Sequence, residues 1–432
     1  MRLAPRAPLV ALVIAACTLP PSPPRPAVER SRAQERSGEI ARRRRDAGPT
    51  VRVALLTGVP TARLSGTGSW RVYDGDRPGT VLVRGGPDVP WTAEARDGRV
   101  RLRRADGTPT EWRDEPLLVR ALGEAHYLAV NGKRYRGELL LVPRRAGLLV
   151  VNRLPMEAYL RGVVPLEIGP DRLASERAAA EAQAVAARSY TYVKMREGAR
   201  APYDLRASVL DQVYGGVGAE RRVSDAAVET TAGLVLRYRG RIVTAPYHSA
   251  CGGATAEPPE VWRASAEPYL RSVSDRVPGS DRYYCERAPR FRWTRSWDAR
   301  ALDTLVSRYV RRVGGASAGG HVRRVRVDGR TPSGRAAALV VETDGGTVRL
   351  RGNTMREVFR SASGEMLNST YVSVRGLTDG DGPLRRLTIE GSGYGHGIGM
   401  CQWGAIGRAR AGHDFRAILA AYYPGATVAA AG

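Results

Sequence analysis

The sequence is almost devoid of lysine: Lys133 and Lys194 are its only two among 68 basic residues. Arginine therefore carries the basic charge, and with 43 acidic residues the formal net charge is +25. GC-rich coding produces such an arginine skew as readily as phosphate binding does. No zinc-finger, RRM or helix-turn-helix signature accompanies it, so no nucleic-acid partner is expected. The chain also has no H-E-x-x-H, no Walker loop and no dinucleotide fingerprint, which removes three common routes to metal, nucleotide and hydride chemistry. "GASAG" (315–319), near His321, matches the spacing of a nucleophile elbow. It lacks the strand-then-helix setting that an elbow needs, and reads as a loop among small residues. After the N-terminus no run is long and apolar enough to span a bilayer.

What is present begins with length. A chain of 432 residues, 43% of them hydrophobic, can build a sizeable core and more than one domain. Forty-nine glycines and 28 prolines call for many turns. Arg2 and Arg6 precede an apolar stretch from Leu9 to Ala16 and then "IAAC", the pattern of a signal peptide. Small residues directly before Cys17 match a bacterial lipobox, in which Cys17 becomes the lipidated first residue; an ordinary signal peptide cut nearby is the alternative. The expectation is an exported lipoprotein of the periplasm or cell envelope, held to a membrane by a lipid at Cys17. Residues 18–48, rich in proline and arginine, read as a tether.

The fold class expected is α+β, mostly β-rich with a few helices. Residues 49–145 alternate or run apolar between Gly, Asp and Pro turns, as in "VRVALL", "RVRLRR" and "GLLVVN", and read as a β-rich N-terminal domain. Residues 146–425 read as a second domain, with a less distinctive insert near 295–385. "SERAAAEAQAVAARSYTYVKMREG" (175–198) is the longest helix, Ala-rich, with Ser175 as cap and Gly198 at its end. Helices are also expected over 298–313 and from Asp414 to Pro424, and a hairpin at "TDGGT".

Three stretches carry chemistry. "GVVPLEIG" (162–169) sets one carboxylate, Glu167, among Val163, Val164, Leu166 and Ile168. Desolvation there would raise its pKa and keep it a proton donor near neutral pH. "GSGYGHGIGMCQWGA" (391–405) carries Tyr394, His396, Gln402 and Trp403 on a glycine frame; flat rings beside amides and imidazole suit sugar faces and hydroxyls. His248 and Cys251 have H-x₂-C spacing, and Cys285 and Cys401 would complete a zinc set. Spacing leaves open a Cys251–Cys285 disulfide instead, which an exported protein readily forms.

In their order, "YRGELLLV", "VVNRLPMEAYLRGVVPLEIG", "EAQAVAARSYTYV", "DQVYGG", "YHSACGGATAE", "PYLRSVSD", "GYGHGIGMCQWGA" and "ILAAYYPG" resemble the stage II sporulation protein D family, over residues from about 135 to 424. Leu166 departs from it, since the family often has a polar residue there. The resemblance implies a peptidoglycan lytic transglycosylase acting on glycan strands, with the family glutamate at Glu167 and its helix arginine at Arg188. It requires no cofactor and is compatible with a structural zinc. Arg188 is expected to meet substrate carboxylates or developing negative charge, since pairing with Glu167 would lower the acid's pKa. Gln212 and Tyr214 of "DQVYGG" are further substrate-binding candidates. The alternative is a non-catalytic peptidoglycan-binding enhancer of a cell-wall amidase.

Overall fold

The computed structural model describes residues 48–313, 320–378 and 382–432. Cys17, the 18–48 tether and "GASAG" lie outside this range, apart from residue 48. Strand exceeds helix, 36% against 24%, which gives the β-rich α+β class. Among the described residues no helix is long and apolar enough to cross a membrane.

Two sheets form the N-terminal part. One has seven strands, in the order 205–206, 50–59, 147–155, 138–144, 117–121, 70–74, 81–85. The other has five, in the order 99–104, 91–96, 61–66, 128–130, 133–135. Alternation drives them. Val51, Val53, Leu64, Val72, Leu102, Leu139 and Val150 point inward with at most 1% exposure and share one core. The strand at 147–155 pairs with both 138–144 and 50–59, so this sheet runs across residue 145 and leads directly into the helical part.

The helices, in chain order, are α1 (Met156–Arg161), α2 (Val164–Ile168), α3 (Arg177–Glu197), α4 (Arg222–Thr230), α5 (Pro258–Val261), α6 (Ala299–Arg312), α7 (Asn353–Val358), α8 (Gln402–Arg410) and α9 (Phe415–Tyr422). The Ala-rich α3 is the hub. Ala179, Ala180, Ala182, Ala184, Ala186 and Ala187 are buried, and their small side chains let α4, α8 and α9 approach closely. Its start corrects the expected cap. A 3₁₀ turn, Ala174–Glu176, precedes α3, and Ser175 caps nothing. The buried Glu176 carboxylate takes the Leu173 N–H at 3.2 Å and Arg410 at 2.8 and 2.5 Å. At the other end Gly198 donates to the Lys194 carbonyl at 2.8 Å.

The less distinctive insert is a lobe with its own core, spanning about 292–392. Two three-stranded sheets, 292–298/384–392/372–378 and 322–327/338–343/346–351, enclose Trp297, Leu339, Val341, Phe359, Leu387 and Ile389. Asp298 caps α6 by accepting from Ala301 N–H at 2.8 Å, and Leu302, Val306 and Val310 form its buried stripe. The expected hairpin closes as Thr343 opposite Gly346, and Asp414 caps α9 through Ala417 N–H at 2.8 Å.

Candidate active site and cysteine cluster

Glu167 sits on α2, a single turn that Pro165 starts and Gly169 (φ +103°) ends. Val163, Val164 and Ile168 anchor that turn in the core with at most 4% exposure, while Leu166 faces out at 40%. The Glu167 carboxylate is thereby half-buried, and burial pushes its pKa up to about 7. A hydrogen bond from Val213 N–H to Oε1, at 2.8 Å, opposes the rise. No arginine or lysine among the described residues pairs with it.

Arg188 corrects the expectation placed on it. It is fully buried, and its guanidinium grips Glu157 of α1 through Nε–Oε1 at 2.9 Å and Nη2–Oε2 at 2.6 Å. Nη1 donates to the Leu234 carbonyl at 3.0 Å, and Glu157 also takes Gly233 N–H at 3.1 Å. The helix explains this orientation. Gln183, Ala187, Tyr190 and Thr191 share the stripe of α3 that meets the Gln212 loop and Gln402. Arg188 lies about 100° further round. It joins α1, α3 and the strand at 234–238, and does not reach substrate space.

Gln212 and Tyr214 are corrected likewise. Gln212 accepts from Tyr159 Oη (3.0 Å) and Thr191 Oγ1 (2.9 Å), and donates to Ala187 O (3.3 Å) and Tyr247 Oη (3.0 Å). All four hydrogen-bonding positions of the amide are spent, so none is left for a sugar. Its work is to fix the backbone that aims Val213 N–H at Glu167. Tyr214 is 6% exposed, packs between Tyr135 and Tyr159 and donates to Asn152 Oδ1 at 2.9 Å.

The glycine-rich segment is brought to the same side. Gln402 donates to Gln183 Oε1 at 3.2 Å, on the stripe of α3 that carries Tyr190. Trp403 is half-buried and lies 5.8 Å from the Arg172 guanidinium, just beyond α2. His396 takes Ile398 N–H on Nδ1 at 3.1 Å and is hydrogen-bonded to the Tyr247 backbone. Burial, then Arg356, pushes its pKa down to about 3, so the ring is neutral. Tyr394 lies under the Arg290 guanidinium at 4.3 Å. Sequence reasoning missed Tyr190 and Tyr247, whose hydroxyls are pushed up by burial and by Glu167, among other groups. The placement of Tyr190 seven residues after Gln183 was a usable signal.

The cysteine set also changes. Cys251, Cys285 and Cys401 are buried free thiols, with Cys251 Sγ 3.5 Å from Cys285 Sγ, and no disulfide joins them. Their fourth partner is Asp275, not His248; one ligand atom from each of the four lies within 4.8 Å of the others. His248 turns Nδ1 to the Ile398 carbonyl at 3.2 Å instead. The donor set fits zinc. With Zn–S near 2.3 Å, a tetrahedral site has edges of about 3.8 Å, close to the 3.5 Å sulfur pair and the 3.6 Å from Cys251 Sγ to Asp275 Oδ2. Burial pushes Cys251, Cys401 and Asp275 well above their ordinary values, so of the four only Cys285 is held toward its ionised form without a cation. Cys401 Sγ accepts Cys251 N–H (3.2 Å) and Gly404 N–H (3.3 Å). Asp275 Oδ1 takes Tyr422 Oη at 2.6 Å and lies 3.5 Å from Arg408. Thiol hydrogen bonds from Cys251 and Cys401 push Cys285 down to about 3. A Cβ at Gly404 would sit 2.5 Å from Asp275 Oδ2, so only glycine lets α8 come this close.

Fold and site together define an α+β protein with a desolvated glutamate on a one-turn helix and a glycine-rich aromatic segment that runs into a buried cysteine cluster. The stage II sporulation protein (SpoIID) family model matches residues 144–238, and a domain of unknown function, DUF8618, matches 279–399. The chain thus carries a SpoIID-family domain over residues 144–238. It is 33% identical to the amidase enhancer of Bacillus subtilis over 62% of its length, a match spanning 40% of that longer protein. It is 28% identical to stage II sporulation protein D of the same organism, covering 65% of this chain and 76% of that one. An uncharacterized protein of Brachyspira hyodysenteriae is 29% identical, over 69% and 73% of the two chains.

Proposed function

We propose that the protein is an exported peptidoglycan lytic transglycosylase with Glu167 as its single acid and base. The observation that carries this reading is the half-buried Glu167 carboxylate, raised to about 7 with one N–H donor and no cationic partner. In the neutral form it donates its proton to the oxygen linking N-acetylmuramic acid to N-acetylglucosamine. The muramyl C6 hydroxyl closes onto C1 as that bond breaks. The carboxylate, now ionised, takes the hydroxyl proton, leaving a 1,6-anhydro ring and a free 4-hydroxyl on the departing sugar. Atoms balance without water. Trp403 and His396 line the glycan side in this reading, with the buried Gln402 behind them on Gln183, and Cys17 supplies the lipid anchor.

Ordinary hydrolysis needs a second carboxylate. The candidate is Asp211, in the loop that holds Val213, but both its oxygens are engaged, by Arg206 N–H at 2.9 Å and Tyr190 Oη at 3.4 Å. Asp211→Asn should therefore keep activity within about tenfold and still yield anhydro ends by mass spectrometry of digested glycan strands. Loss of activity with reducing ends in the parent protein would make this a hydrolase. Since the first step uses protonated Glu167, kcat/KM should fall as pH rises through about 7. The second reading, prompted by the relative named amidase enhancer, is a glycan-binding partner of a cell-wall amidase; it requires that the isolated protein cleave nothing.

Cys251, Asp275, Cys285 and Cys401 are proposed to hold a structural zinc, which would cross-link the loop at Cys251 and the 275–285 segment to the start of α8 and take no part in the chemistry. Purified protein should then contain about one zinc per chain. Cys285→Ala should lose it, with a lower melting temperature. A metal-free parent protein of undiminished stability would refute the site.

A further inference from the structure

A cavity of about 1130 Å³ lies away from Glu167. It lies between α5 with the residues after it and the start of α7 in the second lobe. One wall is Glu257, Pro259, Glu260 and Trp262; the other includes Thr331, Pro332, Asn353, Thr354 and Glu357. We infer that this cavity is a distal subsite for the glycan strand, stacking an N-acetylated sugar residue on Trp262, an assignment that rests on the glycan reading above.

The walls are built rather than incidental. Pro258 and Pro259 stiffen α5, Glu257 N–H donates to Glu260 Oε1 at 3.3 Å, and Trp262 N–H closes the turn on the Pro258 carbonyl at 2.8 Å. Ser333 of the second lobe hydrogen-bonds the Glu260 carboxylate. Gly352 makes the lobes meet: with φ +51°, a Cβ there would lie 2.4 Å from the Val261 carbonyl oxygen. Across the cavity, the buried Arg356 donates to Leu367 O and to Asn353 Oδ1, both at 2.9 Å, which fixes the Asn353 amide.

The lining selects the ligand class. A half-buried indole offers a flat face to the C–H groups of a pyranose. Three carboxylates, two guanidiniums (Arg263 and Arg351), an amide and two threonine hydroxyls offer partners for hydroxyl, acetamido and carboxylate groups. Arg263 and Arg351 line the same cavity and offset part of the charge of Glu257, Glu260 and Glu357, so the lining is mixed rather than acidic. The volume lies at the upper end for small-ligand sites and suits about two or three sugar rings.

The cavity is linked to the acid by direct contacts. The Trp262 ring is 4.9 Å from that of His396, and His396 is hydrogen-bonded to the Tyr247 backbone. Tyr247 Oη takes Gln212 Nε2 at 3.0 Å, and the next residue, Val213, holds Glu167. These contacts couple Trp262 to the loop that holds Glu167 through the protein interior.

Titration calorimetry with chitotetraose, on the mature chain carrying Glu167→Gln to prevent turnover, tests this. Trp262→Ala should raise Kd by about tenfold or more, Trp262→Phe by less than about threefold, and Asn353→Ala, on the opposite wall, by about fivefold. No binding by the parent, or a Kd unchanged by both Trp262→Ala and Asn353→Ala in folded protein, would overturn the subsite. Tighter binding of an anionic stem tetrapeptide than of chitotetraose would overturn it too. The outcome is separable from the acid assignment. If Glu167→Gln cleaves normally while Trp262→Ala loses chitotetraose, the mechanism fails and the subsite stands.

Discussion

Glu167→Gln should abolish the release of anhydromuramyl products from purified glycan strands, lowering the rate by about 10³-fold or more, while the protein becomes more stable. Both effects come from one feature. The wild-type carboxylate is raised from 4.5 to about 7 because Val163, Val164 and Ile168 hold α2 against the core and strip water from it. The amide keeps the acceptor for Val213 N–H but has no proton to give. Glutamate in the unfolded chain ionises near its ordinary pKa, so the folded state binds more protons between about pH 4.5 and 7. Stability from this group is complete below that interval and is lost as pH rises through about 7. Ionising Glu167 in the fold at pH 8 costs about 3 kcal/mol before solvent screening, and about 2 after it, since the residue is only half-buried. The glutamine variant should therefore melt higher than the parent at pH 8 and coincide with it at pH 4. A variant that is folded, equally stable at both pH values and fully active would remove Glu167 from the mechanism. A folded, inactive variant with no gain in stability at pH 8 would retain its role but place its pKa near the ordinary value.

Legibility in the sequence followed locality. Strands with inward alternation, the Ala-rich helix, the helix from Asp298, the Asp414 cap and the Thr343 hairpin all rest on residues within a few positions of each other. Glu167 stood out for the same reason, since its apolar neighbours adjoin it. The α2 turn around it was invisible, because five residues carry too little periodicity to distinguish a helix from a loop. Partners distant in sequence were misjudged. Cys251 and His248 have a familiar short spacing, whereas Asp275 is 24 residues from Cys251 and gives no local pattern. Gln212 and Tyr214 looked like sugar ligands because their side chains can bind hydroxyls. Their hydrogen bonds are used internally, which only the fold reveals.

Arg188 shows the same limit with the largest structural consequence. Its partner Glu157 lies 31 residues upstream, on a helix whose approach the sequence does not announce. Arg188→Ala would leave the Glu157 carboxylate buried at 8% side-chain exposure without its cation, and the Leu234 carbonyl without its donor. Breaking such a pair from one side costs about 3–5 kcal/mol, so the variant should melt well below the parent and lose activity at 37 °C as it unfolds. Activity alone would then mimic loss of a catalytic group. Arg188→Met combined with Glu157→Met separates the two explanations. With both charges removed and the volume kept, stability should return to within about 2 kcal/mol of the parent, the residual being the lost bonds to Gly233 and Leu234. Because neither side chain reaches substrate space, kcat of the double variant should lie within about threefold of the parent at a temperature where both are folded. A double variant that melts normally but has lost more than about a hundredfold in kcat would return Arg188 to the substrate, and would require that the Glu157 pair open during turnover.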